Sequence, residues 1–115
     1  MGVARRLRAA GITAKVHAVV AEDGTRIPGL RNPGEEGGYP PLADMSVVDQ
    51  EHRVAMDVAI TQIGDTARKD GVLLGLSGGA VISVAAQLAR SGRVKGPIVA
   101  LCGDSSFKYY SKALA

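Results

Sequence analysis

Ser77 and the glycines around it form the stretch of this chain whose residue types best suit chemistry. Residues 72–76 are mostly apolar, Ser77, Gly78 and Gly79 follow them, and a helical pattern begins at Ala80. This pattern predicts a strand, a tight turn and a helix. At such a turn a serine hydroxyl can cap the helix or meet a ligand at the positive end of the helix.

Three kinds of ligand chemistry compete with a plain helix cap at Ser77. The letters GLSGG match the pattern of a nucleophilic serine, but both histidines, His17 and His52, precede Ser77, which leaves a pair with Asp104. The glycines could instead cradle a phosphate, although the lysine of a nucleotide-binding loop is missing. In the third alternative the neutral hydroxyl bonds a ring nitrogen of an organic cofactor.

A second candidate lies in the long irregular segment 23–42, which is rich in glycine and proline. A segment of this length without periodicity is either a linker or a functional loop. Arg31 follows closely after Gly29, and a guanidinium matches a carboxylate or a phosphate. Arg31 is therefore either a solvated charge or an anion clamp, whereas His17 is interpreted as a partly buried strand residue.

The elements that must position these residues follow from hydrophobic periodicity and from helix-ending glycines. The patterns predict a helix over 2–10 ended by Gly11 and strands over 15–22 and around 52–56. A second helix is predicted from an Asp57 N-cap to about Lys69, ended by Asp70-Gly71. A strand over 97–101 and a helix start over 107–115 follow later in the chain. Repeated βα units indicate an α/β fold, a parallel sheet with flanking helices. Ser77 and Asp104 follow strands at their carboxyl ends, where ligands collect in such sheets.

Composition narrows the class of protein. The chain has 115 residues, 46% of them hydrophobic, which fits one small domain or part of a larger one. The net charge of +3 and the cluster Arg5, Arg6 and Arg8 fit a solvated helix face better than a nucleic-acid surface. One cysteine, Cys102, fits a reducing cytoplasm, and no apolar run is long enough for a membrane span. We expect a cytoplasmic chain without nucleic-acid, membrane or metal partners.

Several segments, in order, resemble the C-terminal part of the PLP-dependent cysteine synthases of fold type II. They are MGVARRLRAAG, ARKDGVLLGLSGGAVISVAAQLAR and IVALCGDSSFKYYS. A further segment, GLRNPGEEGGYPPL, most closely resembles the branch that uses O-phosphoserine and a sulfur-carrier thiocarboxylate. The resemblance implies one partial α/β domain over 1–115, part of the large domain of that fold, with 23–42 as a long substrate-side loop.

The resemblance also implies residues that bind pyridoxal 5′-phosphate (PLP). Ser77 matches the serine that faces the pyridine nitrogen, and Gly78 and Gly79 match the turn that lets the backbone approach the ring. Gly103 and Asp104 match the segment lining the far side of the cofactor, although the family often has proline where this chain has Gly103.

The same resemblance implies a substrate side. Gly29 matches the loop near the substrate, and Arg31 matches the arginine that would hold the phosphate of O-phosphoserine. Because a guanidinium fork suits a phosphate, the resemblance and the residue type agree.

The family's Schiff-base lysine matches no lysine of this chain, and it belongs to an N-terminal portion that the resemblance does not cover. We therefore expect no catalytic residue here and no β-replacement by the chain alone, as in a split subunit, a truncated product or a remnant. With a complementary N-terminal half, the implied reaction on O-phosphoserine or O-acetylserine is elimination to an aminoacrylate followed by sulfur addition. A sulfur-carrier protein is an implied partner.

Without that half the sheet would expose an edge, so we expect homo-oligomers or dependence on a partner. Two other functions stay open, a non-catalytic α/β domain that binds a partner and a serine hydrolase that uses Ser77.

Overall fold

Residues 1–35 and 37–109 are described by a computed structural model of the chain. The elements, in chain order, are α1 (Gly2–Ala9), β1 (His17–Ala21), a 3-10 turn (Met45–Val47), β2 (Gln50–Val54), α2 (Met56–Asp70), α3 (Leu76–Arg90) and a second 3-10 turn (Ser106–Tyr109). This order confirms the α/β fold with a parallel sheet and flanking helices. The rest of the helix expected over 107–115 lies outside the described residues.

The sheet consists of β1 and β2, which run parallel with His17 opposite Gln50 and Ala21 opposite Val54. β2 begins and ends two residues earlier than its pattern predicts. The reason is the next helix, because Ala55 is already the N-cap of α2. Asp57 is therefore not the cap. It lies in the first turn of α2, where its carboxylate accepts a hydrogen bond from the Val58 N–H at 2.8 Å and faces the positive helix end.

The strands expected over 72–76 and 97–101 are not formed within the described residues. A strand exists only where a neighbouring strand supplies ladder hydrogen bonds, and no described segment pairs with either of them. Leu76 belongs to α3 instead. In segment 97–101, Val99 is 83% exposed and Leu101 is 75% exposed.

The core lies between the sheet and the pair α2 and α3. Its buried members are Ala21, Ile27, Val54, Ala59, Ile63, Leu74, Leu76, Ala80 and Val84. Burial of these aliphatic side chains packs the two helices against each other and against the sheet. The C-terminal end of α2 is the one predicted, since Gly71 adopts a left-handed conformation with φ 68° and its N–H bonds the Ala67 carbonyl. Among the described helices, none is long and apolar enough to cross a membrane.

Candidate functional site

Ser77 lies in the first turn of α3 and does not cap it. The helix begins at Leu76 with Gly75 as N-cap, and the Gly79 N–H donates to the Gly75 carbonyl at 2.9 Å. The helix therefore starts four residues before the predicted Ala80, and the cap interpretation of Ser77 is wrong. Ser77 is half-buried, and its hydroxyl makes no hydrogen bond within the described residues. A polar group in this position can serve a ligand at the positive end of the helix.

Gly29 packs directly against Ser77. A Cβ atom built on Gly29 would lie 3.3 Å from both Cβ and Oγ of Ser77, and the φ of Gly29 is +89°. This conformation and this close approach both suit glycine. The structure thus brings together a residue predicted for the substrate and a residue predicted for the cofactor.

Backbone and side-chain hydrogen bonds hold the Gly29 loop, residues 22–32, on the sheet. The Ala21 N–H donates to the Arg31 carbonyl at 2.9 Å, and Ile27 is 1% exposed. The Asn32 amide donates to the carbonyls of Glu22 and Thr25, each at 3.1 Å. Since these contacts fix both ends of the loop, they hold Gly29 in place against Ser77.

Asn32 is a structural residue of the loop to which the sequence pattern gave no role of its own. It is 3% exposed, although it stands in a segment that reads as a solvent loop. The available signal was its residue type, because asparagine side chains commonly bond nearby backbone groups in turns. The loop therefore owes its shape to Asn32 as well as to its glycines.

Arg31 lies on the surface side of the same loop. Its Nε–H donates to the Gly38 carbonyl at 3.0 Å, which orients the guanidinium. Arg31 is exposed and stands two residues after Gly29. The phosphate role of Arg31 stays a prediction.

Asp104 flanks the beginning of α3 from the other side. The Gly75 N–H donates to the Asp104 backbone carbonyl at 3.1 Å, and a Cβ on Gly75 would overlap the Asp104 carboxylate. The Asp104 Oδ1 atom is buried and has no hydrogen-bond partner among residues 1–35 and 37–109. A carboxylate at a helix N-terminus is favourable, and an unpaired oxygen there fits an additional donor.

The neighbouring residues of this turn have different surroundings. Nothing lies within 4 Å of a Cβ built on Gly103, so that position is open in the described part of the chain. The Sγ atom of Cys102 would lie 3.6 Å from a Cβ on Gly78. Burial raises the pKa of the Cys102 thiol, which makes it a weak nucleophile at neutral pH.

The two glycines after Ser77 are both buried but serve unlike packing environments. A Cβ on Gly79 would collide with the Ala59 carbonyl oxygen and approach the Ile63 side chain to 2.7 Å. Gly78 has room, with the Leu74 and Cys102 Cβ atoms at 3.5 Å. Helix packing therefore accounts for Gly79 by itself, and the role of both glycines beside a cofactor ring stays a prediction.

The histidines do not assist Ser77. His17 Nδ1 and His52 Nε2 are 2.9 Å apart and bond each other, and neither ring bonds the Ser77 hydroxyl. In the described ranges, 1–35 and 37–109, no three His, Cys, Asp or Glu side chains gather as metal ligands. The described site is thus a hydroxyl, a carboxylate and a glycine loop around one helix N-terminus.

Three solved structures share this architecture. An O-ureido-L-serine synthase matches 96% of the chain with a TM-score of 0.80 at 23% identity. A cysteine synthase from Entamoeba histolytica matches 98% with a TM-score of 0.84 at 23% identity. A hydrogen sulfide-producing enzyme from Fusobacterium nucleatum matches 94% with a TM-score of 0.82 at 28% identity.

The chain spans only part of these proteins, namely 37%, 36% and 39% of their respective lengths. No family model matches the sequence. The shared fold agrees with the architecture expected from the sequence segments around Ser77. The chain therefore has the α/β architecture of the fold type II PLP-dependent enzymes and spans somewhat more than a third of it.

Proposed function

We propose that this chain is the C-terminal part of a PLP-dependent cysteine synthase and works with the lysine-bearing part of that fold. The observation that carries the proposal is the hydroxyl of the half-buried Ser77, which makes no hydrogen bond within the described residues and lies against Gly29. The likeness to a cysteine synthase and to a hydrogen sulfide-producing enzyme supports the reaction class. The reaction would replace the activated hydroxyl of a serine derivative with sulfur.

The residues at the beginning of α3 fit PLP. A pyridine nitrogen needs a hydrogen-bonding partner, and Ser77 offers a neutral one that leaves the ring largely unprotonated. The Asp104 Oδ1 atom, without a partner in the described ranges, makes the turn polar on its other side as well. When bound, PLP supplies the electron sink for bond changes next to the amino group of the substrate.

The chain's own residues would orient the ring and shape the space around it. Ser77 would hold the ring nitrogen, and Gly29 would keep the space above the hydroxyl free of side-chain atoms. Asp104 and Gly103 would line the turn that faces the cofactor from the end of segment 97–101. None of these groups takes part in covalent chemistry.

The covalent role would belong to the complementary part of the fold. The matched proteins are covered over only 36–39% of their lengths. Within the described residues, β1 pairs with β2 on one side only, and Val99 and Leu101 are exposed. An unpaired strand edge and uncovered apolar side chains are the surfaces that further strands would cover.

The test is reconstitution with the lysine-bearing part and PLP. We expect protein-bound cofactor absorbance at about 410–430 nm and cysteine formation from an activated serine and sulfide. Ser77→Ala should lower both signals. Ser83→Ala, on the same helix, removes a hydroxyl that bonds the Ala80 carbonyl and should leave both signals unchanged. A folded complex without the absorbance change would refute the enzyme proposal.

The activated serine would be O-phosphoserine if Arg31 clamps a phosphate. In the reconstituted enzyme, Arg31→Ala should raise the KM for O-phosphoserine at least about tenfold and change that for O-acetylserine little, because only the phosphate matches the guanidinium charge. Arg26→Ala removes another arginine of the same loop and is the matched control. Equal effects of Arg31→Ala on both substrates would contradict the clamp.

A non-catalytic domain that binds a partner is the second candidate, and the exposed apolar segment 97–101 favours it. It predicts a stable complex with the complementary part that neither needs PLP nor shows its absorbance. A serine hydrolase lacks such support, since the Ser77 hydroxyl is not bonded to a histidine. Fluorophosphonate labelling should accordingly give no adduct at Ser77.

A further inference from the structure

His17 and His52, here called the histidine couple, are joined by a direct ring-to-ring hydrogen bond between the two strands. The Nδ1 and Nε2 atoms are 2.9 Å apart, the ring centroids 5.2 Å, and the ring planes are inclined by 31°. With these separations the two nitrogens lie between the rings and point at each other. One nitrogen must donate and the other accept, so at least one ring is neutral.

The sheet register forces this contact. His52 is directly opposite Val19, and His17 is opposite Gln50, so the two histidines are diagonal neighbours on one sheet face. Both are half-buried. The backbone pairing of β1 and β2 therefore holds the two Cα atoms at a fixed separation and keeps the rings within reach of each other.

No carboxylate forms an ion pair with either ring within the described residues. His52 borders a cavity of about 620 Å³, across which α3 presents Arg90, Gln87 and Ser83. Glu51 lies next to His52 and is paired with Arg53 at 3.2 Å. The other charged groups near the couple are Glu22 at the same cavity and Asp49 before β2, which pairs with both Lys15 and Arg8.

A second proton on the couple would thus place two cations at hydrogen-bond distance without a countercharge. Both rings would then be donors, so the bond would be lost as well. The strand pair that would be strained is the one that anchors the Gly29 loop, through the Ala21 N–H to Arg31 and the Glu22 N–H to Val54.

We propose that the histidine couple is an acid-sensitive latch between β1 and β2. The latch is closed while at least one ring is neutral, and it opens when both rings are protonated. Opening the latch loosens the strand pair and, through the Gly29 loop, the contact between Gly29 and Ser77. The inference rests on the described residues alone and holds whether or not the protein binds PLP.

The pKa of His52 is shifted in the direction that a latch opened by acid requires. Burial, and after it the charge of His17, lowers the pKa of His52 below its ordinary value. The unfolded chain then binds more protons than the folded chain as the pH falls below about 6.5. Stability is fully present above that pH and is lost as the pH falls through the lowered pKa of the folded protein.

The direct test is a titration of both imidazoles by NMR on the full chain. We expect two coupled steps, the second well below about pH 6.5. The pKa of His52 should rise in His17→Gln but stay below its ordinary value, because burial remains. Two independent titrations, or an unchanged His52 in His17→Gln, would overturn the latch. The wild-type titration decides even if the variant does not fold.

Stability against pH gives a second measure. Between about pH 7 and pH 5 the wild type should lose more unfolding free energy than His52→Gln. The double variant should show the same pH dependence as His52→Gln, since the couple acts as one unit. The protection factor of the Ala21 amide, taken relative to intrinsic exchange at the same pH, should fall at the acidic end of this range in the wild type only. Additive effects of the two substitutions on the pH dependence would count against the proposal.

Discussion

At the scale of single residues, the site depends on a glycine that touches a serine from a distant part of the chain. Gly29 has φ +89°, and its missing Cβ leaves the Ser77 hydroxyl uncovered. Ser77 is half-buried and lies in the first turn of α3. Two requirements therefore meet at Gly29, one on backbone conformation and one on space.

These two requirements can be separated by substitution. Gly24 in the same loop also has a positive φ, +78°, but a Cβ atom built on it would meet no described atom within 4 Å. Gly29→Ala and Gly24→Ala should each destabilise the fold by about 1–2 kcal/mol through the left-handed backbone. Only Gly29→Ala should also weaken PLP binding in the reconstituted enzyme. Denaturant titration and cofactor titration measure the two effects, and equal loss of cofactor binding in both variants would show that contact with Ser77 is unimportant.

At the scale of elements, α2 and α3 approach each other through a glycine. Gly79 faces the backbone carbonyl of Ala59 and the Ile63 side chain, whereas Gly78 one residue earlier has ordinary contact distances. Backbone atoms cannot move aside as a flexible side chain can. A side chain at position 79 should therefore disturb the packing of α3 on α2, whereas a small side chain at position 78 should not.

Alanine at these two positions should have opposite effects. Gly79→Ala should destabilise the protein by about 1–3 kcal/mol, because the added methyl group overpacks the helix contact. Gly78→Ala should be neutral or stabilise by up to about 1 kcal/mol, because alanine favours a helix over glycine. Thermal or denaturant unfolding of the two variants checks this. The interpretation of Gly79 fails if both variants have the same stability.

Asp49, directly before β2, bonds α1 and the segment that leads into β1. Its carboxylate accepts hydrogen bonds from the Val16 N–H at 2.7 Å, from Arg8 of α1 at 2.9 Å and from Lys15 at 3.1 Å. The backbone bond from Val16, followed by the bond from Lys15, lowers the pKa of Asp49 from 3.8 to about 2. The folded chain therefore holds this carboxylate ionised at a lower pH than the unfolded chain does.

The contribution of Asp49 is present above about pH 4 and is lost as the pH falls from about 4 to about 2. Asp49→Asn should reduce the slope of unfolding free energy against pH in that range. Asp70→Asn, an exposed change at the end of α2, is the control and should retain the slope. An unchanged slope in Asp49→Asn would exclude this carboxylate as an acid-labile link.

At the scale of the whole molecule, segment 97–101 is an uncovered apolar stretch. Val99 and Leu101 are 83% and 75% exposed, and residues 72 and 73 before α3 are exposed as well. Apolar side chains in this arrangement favour association, since burial removes them from water. The same surface would serve the complementary part of the fold or a second copy of the chain.

Association should therefore respond to charge in this segment. Val99→Lys with Leu101→Lys should lower self-association of the isolated chain and weaken its complex with the complementary part. Leu42→Lys changes a side chain that is 90% exposed but stands apart from this segment in the sequence, and should alter neither. Sedimentation velocity gives the mass distribution. Equal behaviour of the two proteins would mean that segment 97–101 is not the contact surface.

What the sequence determined by itself is local. The helices α1 and α2, the strand β1 and the glycine that ends α2 all follow from short-range periodicity and from residues with special backbone freedom. The tight turn predicted at Ser77 is wrong, because residues 77–79 belong to α3. The α/β class followed from the order of these elements. The resemblance of ordered segments then led to the architecture that the solved structures share.

Only the tertiary structure decided which residues meet. Segments 72–76 and 97–101 carry strand-like sequences, but a strand also needs a partner, and no such partner lies among the described residues. The contact of Gly29 with Ser77, the packing of Gly79 on Ala59 and the bond between His17 and His52 join residues far apart in the chain. No local pattern encodes such contacts, because they arise from the register of the sheet and from the distance at which helices pack.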